Sequence, residues 1–363
     1  MQGGTEAPGF LSRNVVWATF VLICFGLGYP TLNRYDPRQL LPDAAAYAKL
    51  ARDGPSTVAS PFRFRILVPY LARGVDSLAQ GHTGTWDPLL FGFLVVNSIF
   101  VASTAYLISI VGESLLGSRS TALLASALYL LNFAISNAQL AALVDSGEAL
   151  FLMAIVASMF YRRWMLLPLF GVLGALTKES FVPFSILMVA SWWIFSPEMD
   201  SRRSRSLIFV VTMIVAEFAT VIVLQSVISG HLIWPWDFAS SMNSHGNYAA
   251  NFLHSLLDRS SWYILIWLLP LGLVRIREFP RPWIAAAAVA SVGALGLNAF
   301  HSTVGGVGGG VGRYIFDIAG PLLSISAASW LTGSRRVPAA SAKYPDSIPS
   351  RRSDLIPSRR DVR

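Results

Sequence analysis

Long apolar runs separated by short polar loops recur along most of the chain. About ten of them approach the roughly 20 residues that a membrane-crossing helix needs. They are Val15–Leu32, Pro88–Val111, Thr121–Leu140, Ser146–Tyr161, Trp164–Thr177, Phe181–Phe195, Leu207–Ser229, Trp262–Val274, Trp283–Phe300 and Tyr314–Leu331. The pattern predicts an all-α, polytopic membrane protein over residues 1–332, with about ten transmembrane helices. The first run follows Arg13 and has no small-x-small cleavage site after it, so it reads as a span and not as a signal peptide. After Leu331 the chain changes character. Residues 333–363 are polar, rich in Pro, Ser and Arg, and carry the near-repeat IPSRRSD and IPSRRD. That composition predicts a disordered basic cytoplasmic tail with topogenic charge and a weak attraction to anionic lipid.

Composition sharpens the class. Apolar residues make up 54% of the 363 and charged residues only 13%, where soluble domains run near a quarter charged. A soluble fold of this size would lack the polar surface to cover itself. The same numbers exclude a disordered chain, a coiled coil and collagen. The single cysteine, Cys24, lies in an apolar run, which leaves neither a disulfide framework nor a Cys-based zinc site. The net charge of +8 sits largely in short loops and the tail, so the expected partner of the basic residues is membrane lipid, not nucleic acid.

Lys and Arg in short loops fix the expected orientation. With the N-terminus in the cytoplasm, the inner loops carry Arg119; Arg162 and Arg163; Arg202, Arg203 and Arg205; and Arg275, Arg277 and Arg281. The short outer loops carry only Lys178, Arg259 and Arg313. Both termini are therefore expected inside a plasma membrane. The exception is the first outer loop, about 55 residues long near the limit of the rule, which holds seven Lys and Arg between Arg34 and Arg73. Its charges call for a function.

In this orientation the residues capable of chemistry gather on the outer side: Asp43, Tyr47, Arg63, Arg65, Asp145, Glu148, Lys178, Glu179, Asp237, His245, His254, His301 and Arg313. The fifth span has about 14 residues between Arg163 and Lys178, or roughly 21 Å, short of the ~30 Å hydrocarbon core. Lys178 and Glu179 should therefore be recessed, and Glu148 with them. Ionisable groups at that depth face a watery cavity or each other. One reading is an ion pair, Lys178–Glu148 or Lys178–Glu179, that plugs the bundle; the other is a polar cavity with Lys178 set for an anionic ligand.

Two amphipathic pieces stand out in the first outer loop. In PDAAAYAKLARDG, Asp43 precedes an alanine run at a good N-cap position. In SPFRFRILVPYLAR, Pro61 suits a helix start, and the apolar residues predict a helix in the membrane interface. Arg63 and Arg65 would lie at headgroup level, either as plain anchors or paired with a phosphate. Elsewhere, Trp234 and Trp236 fit an interface belt, and Asp237, His245 and His254 have no metal-ligand spacing. GGVGGGVGR follows a span instead of a strand and lacks Gly-Lys-Ser/Thr, so it reads as a loop and not a nucleotide site. Arg313 and Asp317 fall at i and i+4 and can pair, and Glu217 in mid-span needs a partner inside the bundle.

PDAAAYAKLARDG, PFRFRILVPYLAR, LVDSGE, GALTKES and GRYIFDIAGPLL, in this order, resemble the GT-C superfamily of integral membrane glycosyltransferases. The resemblance implies a polyprenyl-phosphate-linked sugar as donor, transfer with inversion at the outer face, and a glycan, lipid or protein acceptor. It implies that Asp43 takes the acceptor proton, that Lys178, Arg65 and Arg313 stabilise the leaving phosphate, and that Asp145 or Glu148 orients the acceptor or a divalent ion such as Mg²⁺ or Mn²⁺. Tyr47, Arg63, Glu179, His245 and His301 complete the expected substrate-binding set. Two other classes compete. A transporter or lipid flippase would account for the recessed charges and Glu217 but calls for inverted repeats, which the sequence does not display. A non-catalytic assembly subunit would make the polar cluster incidental.

The orientation is checked by labelling intact cells with a membrane-impermeant maleimide. Gly81→Cys should react and Ser341→Cys should react only after lysis, while Cys24 stays silent in its apolar run; the reverse pattern would invert the topology.

Overall fold

The computed structural model describes residues 12–35, 41–196, 203–234, 247–301 and 310–334, and every regular element among them is helical. The helices are α1 (Arg13–Tyr35), α2 (Pro42–Asp53), α3 (Leu67–Ala79), α4 (Pro88–Leu116), α5 (Arg119–Leu130), α6 (Asp145–Phe160) and α7 (Leu167–Thr177). They continue as α8 (Phe181–Phe195), α9 (Arg203–Ser229), α10 (Tyr248–Leu257), α11 (Arg259–Leu265), α12 (Leu268–Leu273), α13 (Arg281–His301) and α14 (Gly310–Thr332). Five stretches are long and apolar enough to cross a membrane: Arg13–Asn33, Pro88–Leu116, Ser206–Ser229, Arg281–Phe300 and Gly310–Thr332. The other apolar runs form shorter or broken helices. The run over 121–140 gives α5 and a π-helical turn at Ile135–Gln139, and the run over 262–274 divides between α11 and α12. An all-α membrane protein therefore holds, on five full-length helices; a count of ten spans is not decided by length and composition.

Two helices organise the packing. α4 lies against α1, α3, α5 and α6. Asp87 starts it by accepting from the Leu89 and Leu90 N–H groups, with Pro88 in the first position, and Gly117 ends it in the left-handed region at φ 63°. α14 lies against α5, α6, α12 and α13. α1 shows the logic of the lipid-facing helices. Val16, Phe20 and Cys24 recur every four residues and are buried, while Leu22 and Ile23 are exposed. α3 comes so near α4 that a Cβ on Gly92 would overlap the carbonyl oxygen of Ala72.

The segment between α1 and α4 departs from expectation twice. Asp43 does not cap α2. Leu41 holds the cap position, Pro42 the first helical position, and Asp43 makes no capping bond from the first turn. Proline, with φ preset for the helix and no N–H to satisfy, begins it one residue too early for Asp43 to cap. The expected interface helix over 60–73 is split into a 3₁₀ turn at Phe62–Phe64 and α3. Arg65 falls at the break and is buried against the protein.

Two glycine substitutions test this packing. Gly92→Ala should lose about 1–3 kcal/mol by overpacking backbone against backbone. Gly74→Ala, in α3 with no atom near its added Cβ, should gain roughly 0.5–1 kcal/mol. Thermal unfolding of the purified protein in detergent reads both.

Candidate functional site

α6 opens with Asp145 and Glu148, which lie three residues apart and so share one face of its first turn. Carboxylates there also meet the positive end of the helix dipole. Ahead of them the chain is irregular. The π-helical turn is followed by Ala142, a non-glycine residue held at φ 58°, and such left-handed residues cluster at functional sites. Asn97 of α4 steadies the segment: its amide donates to the Leu143 carbonyl at 3.2 Å, and its oxygen accepts from the Ser146 hydroxyl at 2.6 Å.

Lys178 closes α7 with an extended backbone, φ −165° and ψ 137°. Its ammonium donates to Asp145 Oδ1 at 2.7 Å and to Glu148 Oε2 at 2.9 Å. Ser180 Oγ donates to the other oxygen of Glu148 at 2.7 Å. From α14, Arg313 Nη1 stands 3.6 Å from Asp145 Oδ2, and Tyr314 places its ring face 4.2 Å from the Lys178 ammonium. Lys178 is 1% exposed and Glu148 not at all. Both are enclosed by the surrounding helices.

Glu179 faces the other way. It receives two hydrogen bonds from the Arg65 guanidinium, Nε to Oε2 at 2.8 Å and Nη2 to Oε1. Arg65 Nη1 also donates to the Tyr47 hydroxyl at 2.6 Å. Burial pushes the Tyr47 phenol up to about 12, against the pull of Arg65 and Lys178. Burial also pushes the Glu179 carboxyl up, but the Arg65 guanidinium overrides it and holds the group below its ordinary value.

Lys178 therefore takes its partner from the first of the two expected pairings, Glu148, and adds Asp145; Glu179 belongs to Arg65. The expected Arg313–Asp317 pair gives way to Arg313–Asp145, and Asp317 Oδ1 instead accepts from Gln139 Nε2 at 2.6 Å. Gln139 is held in turn by the Tyr129 hydroxyl, and Tyr129 stacks on Phe316 at 4.9 Å. Asp317 Oδ2 and Arg313 Nε are buried without a hydrogen-bond partner among the described residues. Glu217 finds its partner in Ser185, whose hydroxyl donates at 2.8 Å.

Other candidates lie apart. Arg63 donates to Ser229 Oγ at 3.1 Å and rests 4.6 Å over the Phe64 ring. Asp43 is half-buried, one helical turn before Tyr47, and makes no hydrogen bond or ion pair among the described residues. His254 is exposed on α10. Asp237 and His245 fall outside the described residues, and His301 is described only as the last residue of α13. Asn97, Gln139, Ser180 and Tyr314 were missed, and Asp317 was foreseen only as a partner for Arg313. Asn97 and Gln139, polar residues inside apolar runs, carried the signal that could have found them.

Asp145, Glu148 and Asp317 each offer a carboxylate oxygen within 4.8 Å of the others and could hold a metal ion. The Lys178 ammonium stands on two of the three, so a divalent ion would have to displace it. No protein-family model, curated protein or solved structure matches the chain.

Glu179→Gln tests the Arg65 clasp. At neutral pH the variant should lose roughly 1.5–3 kcal/mol. The carboxyl value is lowered on folding, so its contribution is present above the ordinary value of about 4.3 and fades as pH falls through the lowered one. The stability gap between parent and variant should close over that acid range in denaturant melts run as a pH series.

Proposed function

We propose that the chain is a GT-C-type membrane glycosyltransferase, which moves a sugar from a polyprenyl-phosphate donor to a hydroxyl acceptor at the outer face of the plasma membrane, with both termini cytoplasmic. One observation carries this reading. Three cations from segments far apart in sequence, Arg65, Lys178 and Arg313, meet carboxylates and two tyrosines in one buried polar cluster. Arg and Lys in that setting suit a phosphate on which negative charge develops as the sugar leaves.

The roles follow from what each side chain is already doing. Arg313 keeps an Nε with no partner among the described residues and is the readiest contact for an incoming phosphate. Lys178 adds its charge once the phosphate competes with Asp145 and Glu148 for it. Asp43 has no partner among the described residues and no capping duty, so its carboxylate is available to take a proton, one helical turn from Tyr47. The acceptor oxygen forms its bond to the anomeric carbon as the bond from that carbon to the phosphate oxygen breaks. The proton goes to Asp43 and the leaving charge is met by the cations, with inversion at the sugar. Asp145 and Glu148 hold Lys178 in position. A carrier remains the second reading, because Glu217 is buried in mid-helix with one carboxylate oxygen unpartnered among the described residues.

Purified protein incubated with a panel of polyprenyl-phosphate sugars should release or transfer sugar. Lys178→Ala and Arg313→Ala should each lower turnover about tenfold to a hundredfold, the worth of one charge-assisted contact, while Arg351→Ala leaves it unchanged. Asp43→Asn should keep the fold and lower turnover by roughly 10²–10⁴. Full turnover in Asp43→Asn would move the base to Asp145 or Glu148. Full turnover in both cation variants would leave the cluster a structural plug, and movement of substrate without chemistry would favour the carrier.

A further inference from the structure

A second polar site lies at the end of the bundle where α1 finishes and α4 begins. It is a groove of about 890 Å³, within the size range of small-molecule sites. Tyr29 and Asn33, one helical turn apart, line one wall from α1, and Asp76 of α3 with Gln80, the residue just past its end, lines another. Arg52 from α2 and Trp86 complete it, with Arg52 paired to Asp87. None of these residues belongs to the Lys178 cluster. Arg52 lies five residues beyond Tyr47 on α2, about 7.5 Å along the axis and turned some 140° around it, so α2 forms a wall between the two sites.

The chemistry of the lining narrows the ligand. Tyr29 is stacked on Trp86 at 4.8 Å with 19° between planes and is 43% exposed. One face of the ring is backed and the other is open. The open face carries the negative side of the ring quadrupole, which attracts the weakly positive C–H groups of a pyranose. Asn33, Asp76 and Gln80 make no side-chain hydrogen bond among the described residues, so an amide, a carboxylate and a second amide offer donors and acceptors to the groove. Arg52 and Asp87 neutralise each other, which leaves Asp76 as the one uncompensated charge among the described lining residues and disfavours an anion there. We propose that this groove binds a neutral saccharide, with its ring on Tyr29 and its hydroxyls on Asn33, Asp76 and Gln80. The site is separate from the transferase reading and is read by binding alone.

The test uses the full chain in lipid nanodiscs and saturation-transfer NMR with four neutral trisaccharides: maltotriose, mannotriose, xylotriose and N,N′,N″-triacetylchitotriose. At least one should bind saturably at millimolar concentration or tighter. Tyr29→Ala, Asp76→Asn and Gln80→Ala should each weaken that binding about threefold to tenfold, the worth of one hydrogen bond or ring contact, with thermal unfolding unchanged. Asp76→Asn is isosteric and has no protein partner to lose, so it carries the test even where Tyr29→Ala fails to fold. Binding of none of the four, binding indifferent to all three substitutions, or capture of tetramethylammonium in their place would each overturn the proposal. Because no donor is present, loss of transfer activity in the same preparation leaves the result standing.

Discussion

A lysine ammonium buried to 1% exposure cannot stand alone, because an unpaired charge in a low-dielectric interior costs more than the fold can supply. Lys178 is made tolerable by Asp145 and Glu148 at once, and this obligation dictates much of the surrounding architecture. The first turn of α6 must face the α7–α8 connection. Ser180 must turn its hydroxyl to the oxygen of Glu148 that Lys178 leaves free. Arg313 brings α14 into the same contact by claiming the second oxygen of Asp145. Gly147 permits the approach, since a Cβ there would stand 2.7 Å from Thr177 Cγ2.

The neighbouring residue extends the constraint to the segment between α1 and α4. Extended backbone at Lys178 sends successive side chains to opposite sides, so Lys178 gathers α6 and α14 while Glu179 reaches Arg65 and, through it, Tyr47 on α2. A planar guanidinium can hold a carboxylate with two hydrogen bonds and still donate a third to a phenol; a lysine at position 65 could not reproduce that fork. The two-residue unit Lys178–Glu179 thus ties the segment between α1 and α4 to the core of the bundle through charges of opposite sign.

Much of this was legible in the sequence. The apolar runs fell on the observed helices, and the Lys178–Glu148 pair, one of the two pairings expected, is present and buried. What failed was local reasoning in places where tertiary contacts decide. Arg313 and Asp317 satisfy the helical spacing for a pair, yet Asp145 arrives from α6 and Gln139 from the π-helical turn, and each takes one partner away. Arg65 sits in an amphipathic pattern that predicts exposure, but Glu179 draws it inward. Ala142 in the left-handed region has no glycine to announce it. His245 lies outside the described residues and His301 is described only as the end of α13, so neither side chain enters the geometry.

The short helices and the charges explain each other. A turn such as 178–180, buried at the end of an α7 of 11 residues, exposes backbone groups that lipid could not satisfy, and irregular backbone at that depth survives only inside protein. The cluster provides that interior. Stability alone does not require charges for the purpose, because well-packed apolar residues of similar volume often serve a buried position equally well or better. Four carboxylates, three cations, a strained Ala142 and a π-helical turn gathered at one place are a poor way to fill space. Under the proposed transferase reading they would keep a charged substrate group and a reacting hydroxyl in a dry, preorganised setting.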